Sequence, residues 1–266
     1  MRLVLDHLTV TDTTPSQLVE IAAATGCVGV GLFLHAMEGL PMPSYDLVTD
    51  AAERRATRRA LAAGGVGVDL VYPFTLAGRT RVGDFEPALE VAAELGASLA
   101  NILCYDRDPA RRGDRLAELA ALGCRYGIGL TVEFYPPSQL RTLGEALAAV
   151  EGDIGVTADL LHIMRGDDMA AALPMLGDPR IRIAQLSDGP MTVAADPAEW
   201  EASRERLLPG EGAFDIAAFL AAIGPAVPIS VEVPRQSALE AGAPALERAR
   251  RAVEAARAFL PPRAMG

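Results

Sequence analysis

The feature that most restricts this chain is a strict alternation: eight short apolar runs, each followed by a longer Ala/Leu-rich amphipathic stretch. The runs fall at about 3–9, 28–34, 66–72, 99–105, 128–134, 154–159, 181–187 and 228–233. The amphipathic stretches fall at about 15–25, 45–63, 84–95, 109–126, 138–150, 167–176, 215–223 and 239–259. Strands joined by helical crossovers pair in parallel, and eight βα units in 266 residues predict an α/β fold, a single (β/α)8 TIM barrel over residues 1–266. A doubly wound open sheet is the rival, but the first strand-to-helix turn, LTVTDTTPS, has no GxGxxG to hold a dinucleotide phosphate. Gly26, Gly64, Gly96, Gly127, Gly152, Gly177 and Gly224 stand where a left-handed residue would end a helix. Thr14-Pro15-Ser16-Gln17 reads as an N-cap, an N1 proline and a capping-box glutamine.

Charge narrows the function. The net charge of −11 repels nucleic acid and anionic membranes, so neither is expected as a partner. No lysine occurs, which excludes Schiff-base aldolases, pyridoxal phosphate enzymes and P-loop NTPases. Cys27, Cys104 and Cys124 are odd in number and far apart, which predicts neither a disulfide framework nor a thiolate metal site and fits a reducing cytoplasm. Asp6 and His7 interrupt the N-terminal apolar run before a signal peptide could form, and no apolar stretch approaches a membrane span.

In a barrel the chemistry sits at the C-terminal ends of the strands, so the polar residues closing the apolar runs carry the most information. Glu133 closes LTVEF, Asp159 closes IGVTAD, Gln185 lies near the end of IRIAQLSD and Glu232 lies in ISVEV, at intervals of 26, 26 and 47 residues. One oxygen donor from each of four adjacent strands would converge on one point. Three carboxylates that close repel one another unless a cation lies between them, and an amide oxygen completes a hard, all-oxygen set suited to Mn²⁺ or Mg²⁺. The competing reading of each is an ordinary helix cap or salt-bridge partner.

Other residues surround this set. His162 lies three residues after Asp159, His7 ends the first run and His35 follows the second. Arg206 is a candidate clamp for a substrate carboxylate or phosphate, since a guanidinium grips either bidentately. The long connection 188–214 reads as a lid; Pro209, Gly210 and Gly212 bend it and it carries Trp200. Tyr72, Tyr105, Phe134 and Tyr135 are candidates for an apolar pocket wall.

Taken together, HLTV, VEF with Glu133, the D-x-x-H of Asp159 and His162, IAQLSDG with Gln185 and Asp188, RLLPGEG with Arg206, and VEV with Glu232 resemble the xylose isomerase-like TIM-barrel superfamily. Its members include sugar phosphate isomerases/epimerases, D-tagatose 3-epimerase, inosose dehydratase and 3-dehydroshikimate dehydratase. The resemblance implies one divalent metal, Mn²⁺ or Mg²⁺, on Glu133, Asp159, Gln185 and Glu232. It implies catalysis by Glu133, Glu232 and His162, and substrate contacts from His7, Arg206 and Asp188. The expected substrate is a small polyhydroxylated carbonyl compound, isomerised or epimerised by proton abstraction next to the carbonyl, and the chain is expected to form a homo-oligomer. Epimerases of the group have His where this chain has Gln185, which is more like the dehydratases, so a lyase is the alternative reaction. A sugar-binding barrel without turnover is the alternative outside enzymes.

Overall fold

The computed structural model describes residues 1–167, 169–193 and 198–260. Asp168 of the expected helix 167–176, residues 194–197 of the long connection and the end of the expected domain, 261–266, lie outside them. Eight strands run in parallel: β1 Leu3–Asp6, β2 Gly29–Phe33, β3 Gly67–Leu76, β4 Ala97–Cys104, β5 Gly129–Glu133, β6 Gly155–Asp159, β7 Ile181–Leu186 and β8 Ile229–Val231. Each pairs with its neighbour in sequence and β8 pairs with β1, Val4 lying beside Ser230, so the sheet closes as the alternation predicts.

The helices form the outer ring: α1 Pro15–Thr25, α2 Ala51–Gly64, α3 Glu86–Glu94, α4 Pro109–Arg125, α5 Leu143–Ala149, α6 Leu160–Gly166, α7 Met169–Ala172, α8 Ala198–Ser203, α9 Ile216–Ala222, α10 Gln236–Glu240 and α11 Ala245–Arg257. The α1 capping box forms: Thr14 accepts from the Gln17 N–H and the Gln17 side chain accepts from the Thr14 N–H. Leu18, Val19 and Ala22 of α1 are buried against the sheet, the arrangement expected of an amphipathic outer helix.

Some boundaries differ from the sequence reading. The sixth helix starts at Leu160, not near 167, because Asp159 ends β6 and at once caps the next turn, accepting from the Leu161 and His162 N–H groups. The stretch expected as one helix over 239–259 is two, broken where Gly242 takes φ +79°. After α2 the left-handed residue is Gly65, with Gly64 still helical, and Gly177 and Gly224 do not have positive φ. No disulfide joins Cys27, Cys104 or Cys124. Among the described residues no helix is long and apolar enough to cross a membrane.

Candidate functional site

At the C-terminal mouth of the barrel lies a cavity of about 370 Å³, lined in part by Glu133, His162, Gln185, Arg206 and Glu232. The register explains how residues so far apart in sequence meet. Glu133 lies beside Thr157, Asp159 beside Gln185, and Gln185 beside Ser230, so the ends of β5 to β8 bring these side chains to neighbouring heights.

Arg206 is the hub of the site. Its guanidinium is buried at 2% exposure and donates from Nη1 to Asp159 Oδ2 at 2.8 Å and from Nη2 to Glu232 Oε1 at 2.5 Å. Its Nε donates to the Ala202 carbonyl at 2.9 Å, and Ser187 Oγ lies 3.4 Å from Nη1. Burial by itself raises the Asp159 carboxyl, but the charges of Arg206 and His162 outweigh it and hold that carboxyl below its ordinary value. Glu232 goes the other way: burial lifts it well above the usual carboxylate range despite Arg206, with Asp6 and Asp159 adding repulsion. Glu232 Oε2 also accepts from the Gln185 amide.

His162 turns Nε2 toward Glu133 Oε1 at 3.3 Å and Asp159 Oδ2 at 3.7 Å, with its ring 4.9 Å from that of Tyr135. Glu133, Asp159 and His162 offer ligand atoms within 4.8 Å of one another, an arrangement able to hold a metal ion. Gln185 Oε1 is buried and, among the described residues, has no hydrogen-bond partner. A bare amide oxygen on a side chain that also touches Glu232 suits a cation, because a buried acceptor left unpaired is otherwise costly.

Two expected substrate contacts lie elsewhere. His7 is fully buried outside the cavity lining; Nε2 donates to the Thr13 carbonyl at 3.0 Å, Nδ1 accepts from the Phe33 N–H, and the ring stacks on Tyr45. Asp188 is saturated by backbone, accepting from the N–H groups of Gly189, Gly210, Gly212 and Phe214 at 2.8–3.1 Å. It clasps the long connection closed, and glycine is required at 212 because a Cβ there would lie 2.2 Å from Asp188 Oδ1. His35 is exposed, and Trp200 is 52% exposed with the Arg204 guanidinium 5.8 Å from its ring centre. Tyr72, Tyr105 and Tyr135 do line the cavity, whereas Phe134 is core.

Asn101 and Asp6 are buried polar groups that the strand-end reading passed over. Asn101 donates from Nδ2 to Glu133 Oε2, while its Oδ1 accepts from Thr157 at 2.7 Å and Thr131 at 3.2 Å. This fixes the roll of the Glu133 carboxylate and leaves Oε1 facing His162. Asn101→Ala is expected to cost about 1–3 kcal/mol in chemical denaturation, because Glu133 Oε2 and the threonine hydroxyls lose a buried partner. A loss below about 0.5 kcal/mol would mean that the network carries no net stability.

Asp6 accepts from the Tyr72 hydroxyl and the Leu8 N–H. Burial pushes its carboxyl from 3.8 up to about 7, and burial pushes the neighbouring His7 from 6.5 down to about 4. Folding therefore puts a proton on Asp6 and removes one from His7 between about pH 4 and 6.5. The Asp6 contribution is complete below pH 3.8 and lost as pH rises through 7; the His7 contribution is complete above 6.5 and lost as pH falls toward 4. The two slopes cancel in the wild type. In Asp6→Asn only that of His7 remains, so stability relative to wild type should fall by about 3 kcal/mol from pH 6.5 to 4. Urea unfolding across that range checks it, and parallel curves for the two proteins would refute it.

A closed eight-stranded parallel barrel whose mouth gathers three carboxylates, an amide, an imidazole and an arginine defines a (β/α)8 protein with a polar, cation-competent centre. The chain belongs to the xylose isomerase-like TIM barrel family, which its residues 19–260 match. It is 30% identical over 243 residues to a 3-dehydroshikimate dehydratase of Pseudomonas aeruginosa, an alignment covering 83% of this chain and 36% of the relative. The chain thus spans about a third of that curated protein. Among solved structures, a xylose isomerase-like TIM barrel/4-hydroxyphenylpyruvate dioxygenase fusion protein is 24% identical with TM-score 0.78, over 96% of this chain and 42% of that one. The IolI protein with a bound zinc atom is 19% identical, also with TM-score 0.78, over 98% and 99%. An epimerase and a probable dehydratase are also among the solved barrels that align with this chain.

Proposed function

We propose that this protein is a divalent-metal-dependent isomerase or epimerase that removes and returns a proton next to the carbonyl of a small polyhydroxylated compound. The observation that carries the reading is Gln185 Oε1, without a partner among the described residues and buried beside Glu232 at a mouth lined also by Glu133, with Asp159 next to Gln185 on the adjoining strand. Glu133, Asp159, Gln185 and Glu232 would hold the ion, Mn²⁺ or Mg²⁺ by their oxygen donors, with His162 close enough to share it. When bound, such an ion supplies Lewis-acid polarisation of a carbonyl oxygen.

The protein's own groups handle the proton. Glu133 ends β5 and Glu232 follows β8, three strands further round, so both carboxylates reach the cavity but from different sides. One takes the proton and the other returns it to the opposite face. The raised affinity of Glu232 for a proton suits it to hold one between these steps. Asn101 keeps Glu133 Oε1 presented to the cavity.

Dehydration is the second reading. It is favoured by the 30% identity to a 3-dehydroshikimate dehydratase and by Gln185 at the position where the epimerases it resembles have His. There His162 would protonate a departing β-hydroxyl after the same first step.

Both branches begin with loss of the α-proton, so exchange into D₂O tests the shared chemistry. Protein loaded with Mn²⁺ or Mg²⁺ should introduce deuterium into a ketose, an inosose or a dehydroshikimate-like acid, and excess chelator should stop it. Epimerisation or isomerisation without deuterium entering substrate or product, or full activity in chelator, would overturn the reading.

A further inference from the structure

The cavity at the barrel mouth is two-sided, and the division follows the order of the strands. Glu133, His162, Gln185, Arg206 and Glu232 come from β5–β8 and the segments after them. The wall that β1–β4 and their following loops supply is largely carbon: Leu8, Phe33, Met37, Leu40, Phe74 and Leu103. Of the polar side chains on this second half, Tyr72 gives its hydroxyl to Asp6, and Asn101 turns its amide to Thr131 and Thr157 on β5 and β6. Pro73 has no N–H to offer. Thr75 and Tyr105 contribute hydroxyls, and Glu38 is exposed. A divalent ion on Glu133, Asp159, Gln185 and Glu232 would add to the polar half and leave the β1–β4 wall as it is.

This division selects against a molecule hydroxylated along its whole length. A hydroxyl laid against leucine, phenylalanine and methionine side chains gives up its water without gaining a partner. An apolar arm gains in the same place, because Met37, Leu40 and Leu103 are only partly buried and would lose further surface to it. Met37 and Leu40 lie on the loop after β2, where the Met37 N–H meets Met42 Sδ at 3.5 Å, and unbranched methionines can repack around arms of different outline. The volume of about 370 Å³ suits a compact hydroxylated head and one such arm.

We infer that the ligand of this cavity is amphipathic: a polyhydroxylated carbonyl compound carrying an aryl or alkyl substituent. Its oxygens face β5–β8, and its substituent lies against the β1–β4 wall. The carbonyl rests on the proposed function, under which this ligand is the substrate; the substituent rests on the two-sided wall alone.

The test compares D-fructose with 6-O-benzyl-D-fructose on the full chain loaded with Mn²⁺. Affinity is measured by calorimetry and α-proton exchange by NMR in D₂O. The benzyl ether is expected to bind about tenfold or more tighter and to exchange its α-proton. Equal or weaker binding of the ether, or no binding by either compound, overturns the inference. Exchange in fructose with none in a tightly bound ether overturns it too. Tighter binding of the ether with exchange in neither compound upholds the amphipathic ligand and overturns the catalytic reading alone. Leu40→Asn, at a half-buried position on the wall, should narrow the gap, while Met191→Asn, at 58% exposure and outside the cavity lining, should leave it. A gap that survives Leu40→Asn, or that Met191→Asn narrows as much, places the benzyl arm off the β1–β4 wall and overturns the inference.

Discussion

Glu232→Gln should lower α-proton exchange by roughly a hundred- to ten-thousandfold and weaken Mn²⁺ or Mg²⁺ binding in the same protein. An amide has the shape of a carboxylate but neither its charge nor its capacity to take a proton. The substituted side chain can still accept from Arg206 through its oxygen, which preserves the fold. Its new N–H groups would face the Gln185 amide, which now donates to Glu232 Oε2. Gln185 would then present its oxygen inward to the new amide, and the amide oxygen that has no partner among the described residues of the wild type would be consumed. Metal content after dialysis and deuterium uptake, measured on the same sample, give the result. Exchange at the wild-type rate would remove Glu232 from the chemistry, and lost exchange with unchanged metal content would leave it a base but not a ligand.

Arg206→Leu should be the most destabilising single change at the mouth, costing about 3–5 kcal/mol in denaturant unfolding. The substitution strands Asp159 and Glu232, at 0% and 3% exposure, without their shared counter-ion. The same reasoning predicts a remedy. A divalent cation bound between the stranded carboxylates replaces the lost charge, so added Mn²⁺ should stabilise Arg206→Leu more than wild type. Acidification should also narrow the difference, because a protonated carboxyl needs no counter-ion. A variant within about 0.5 kcal/mol of wild type would show that the buried ion-pair hub contributes nothing net.

How far the sequence reveals this site depends on strand parity. Glu133, Asp159 and Gln185 were legible because each closes an apolar run at the mouth, and a barrel sends alternate residues inward. The same rule misleads at the first and seventh strands. Asp6 faces Tyr72 and Ser230, so His7 next to it turns outward to Thr13 and Tyr45. Ser187 approaches Arg206, and Asp188 next to it turns to the loop backbone. One residue of register decides between pocket and scaffold, and run lengths read from sequence are not that sharp.

Asn101 did leave a signal, since a lone amide inside the apolar run LANILC has to find a partner once buried. The partner itself, 32 residues away on β5, is a product of tertiary folding. The role of Arg206 was hidden for the same reason. Its side-chain type announces an anion partner, but that the anions are Asp159 and Glu232, 47 and 26 residues away, follows from the closed barrel alone.

The Asp188 clasp has a consequence for how this barrel can change over time. Asp188 and Leu207 lie side by side in an antiparallel bridge, and the Arg206 N–H is tied to the Pro234 carbonyl, so both ends of the intervening excursion are pinned. For a loop with fixed ends, doubling its length adds only about 0.6 kcal/mol of closure entropy. Insertions between the pins therefore leave the Arg206 hub where it is. Ala202 and Ser203 on that same excursion line the cavity. A segment pinned at both ends, whose length can change at little cost, thus touches whatever is bound, which lets ligand preference diverge while the polar centre beneath stays constant.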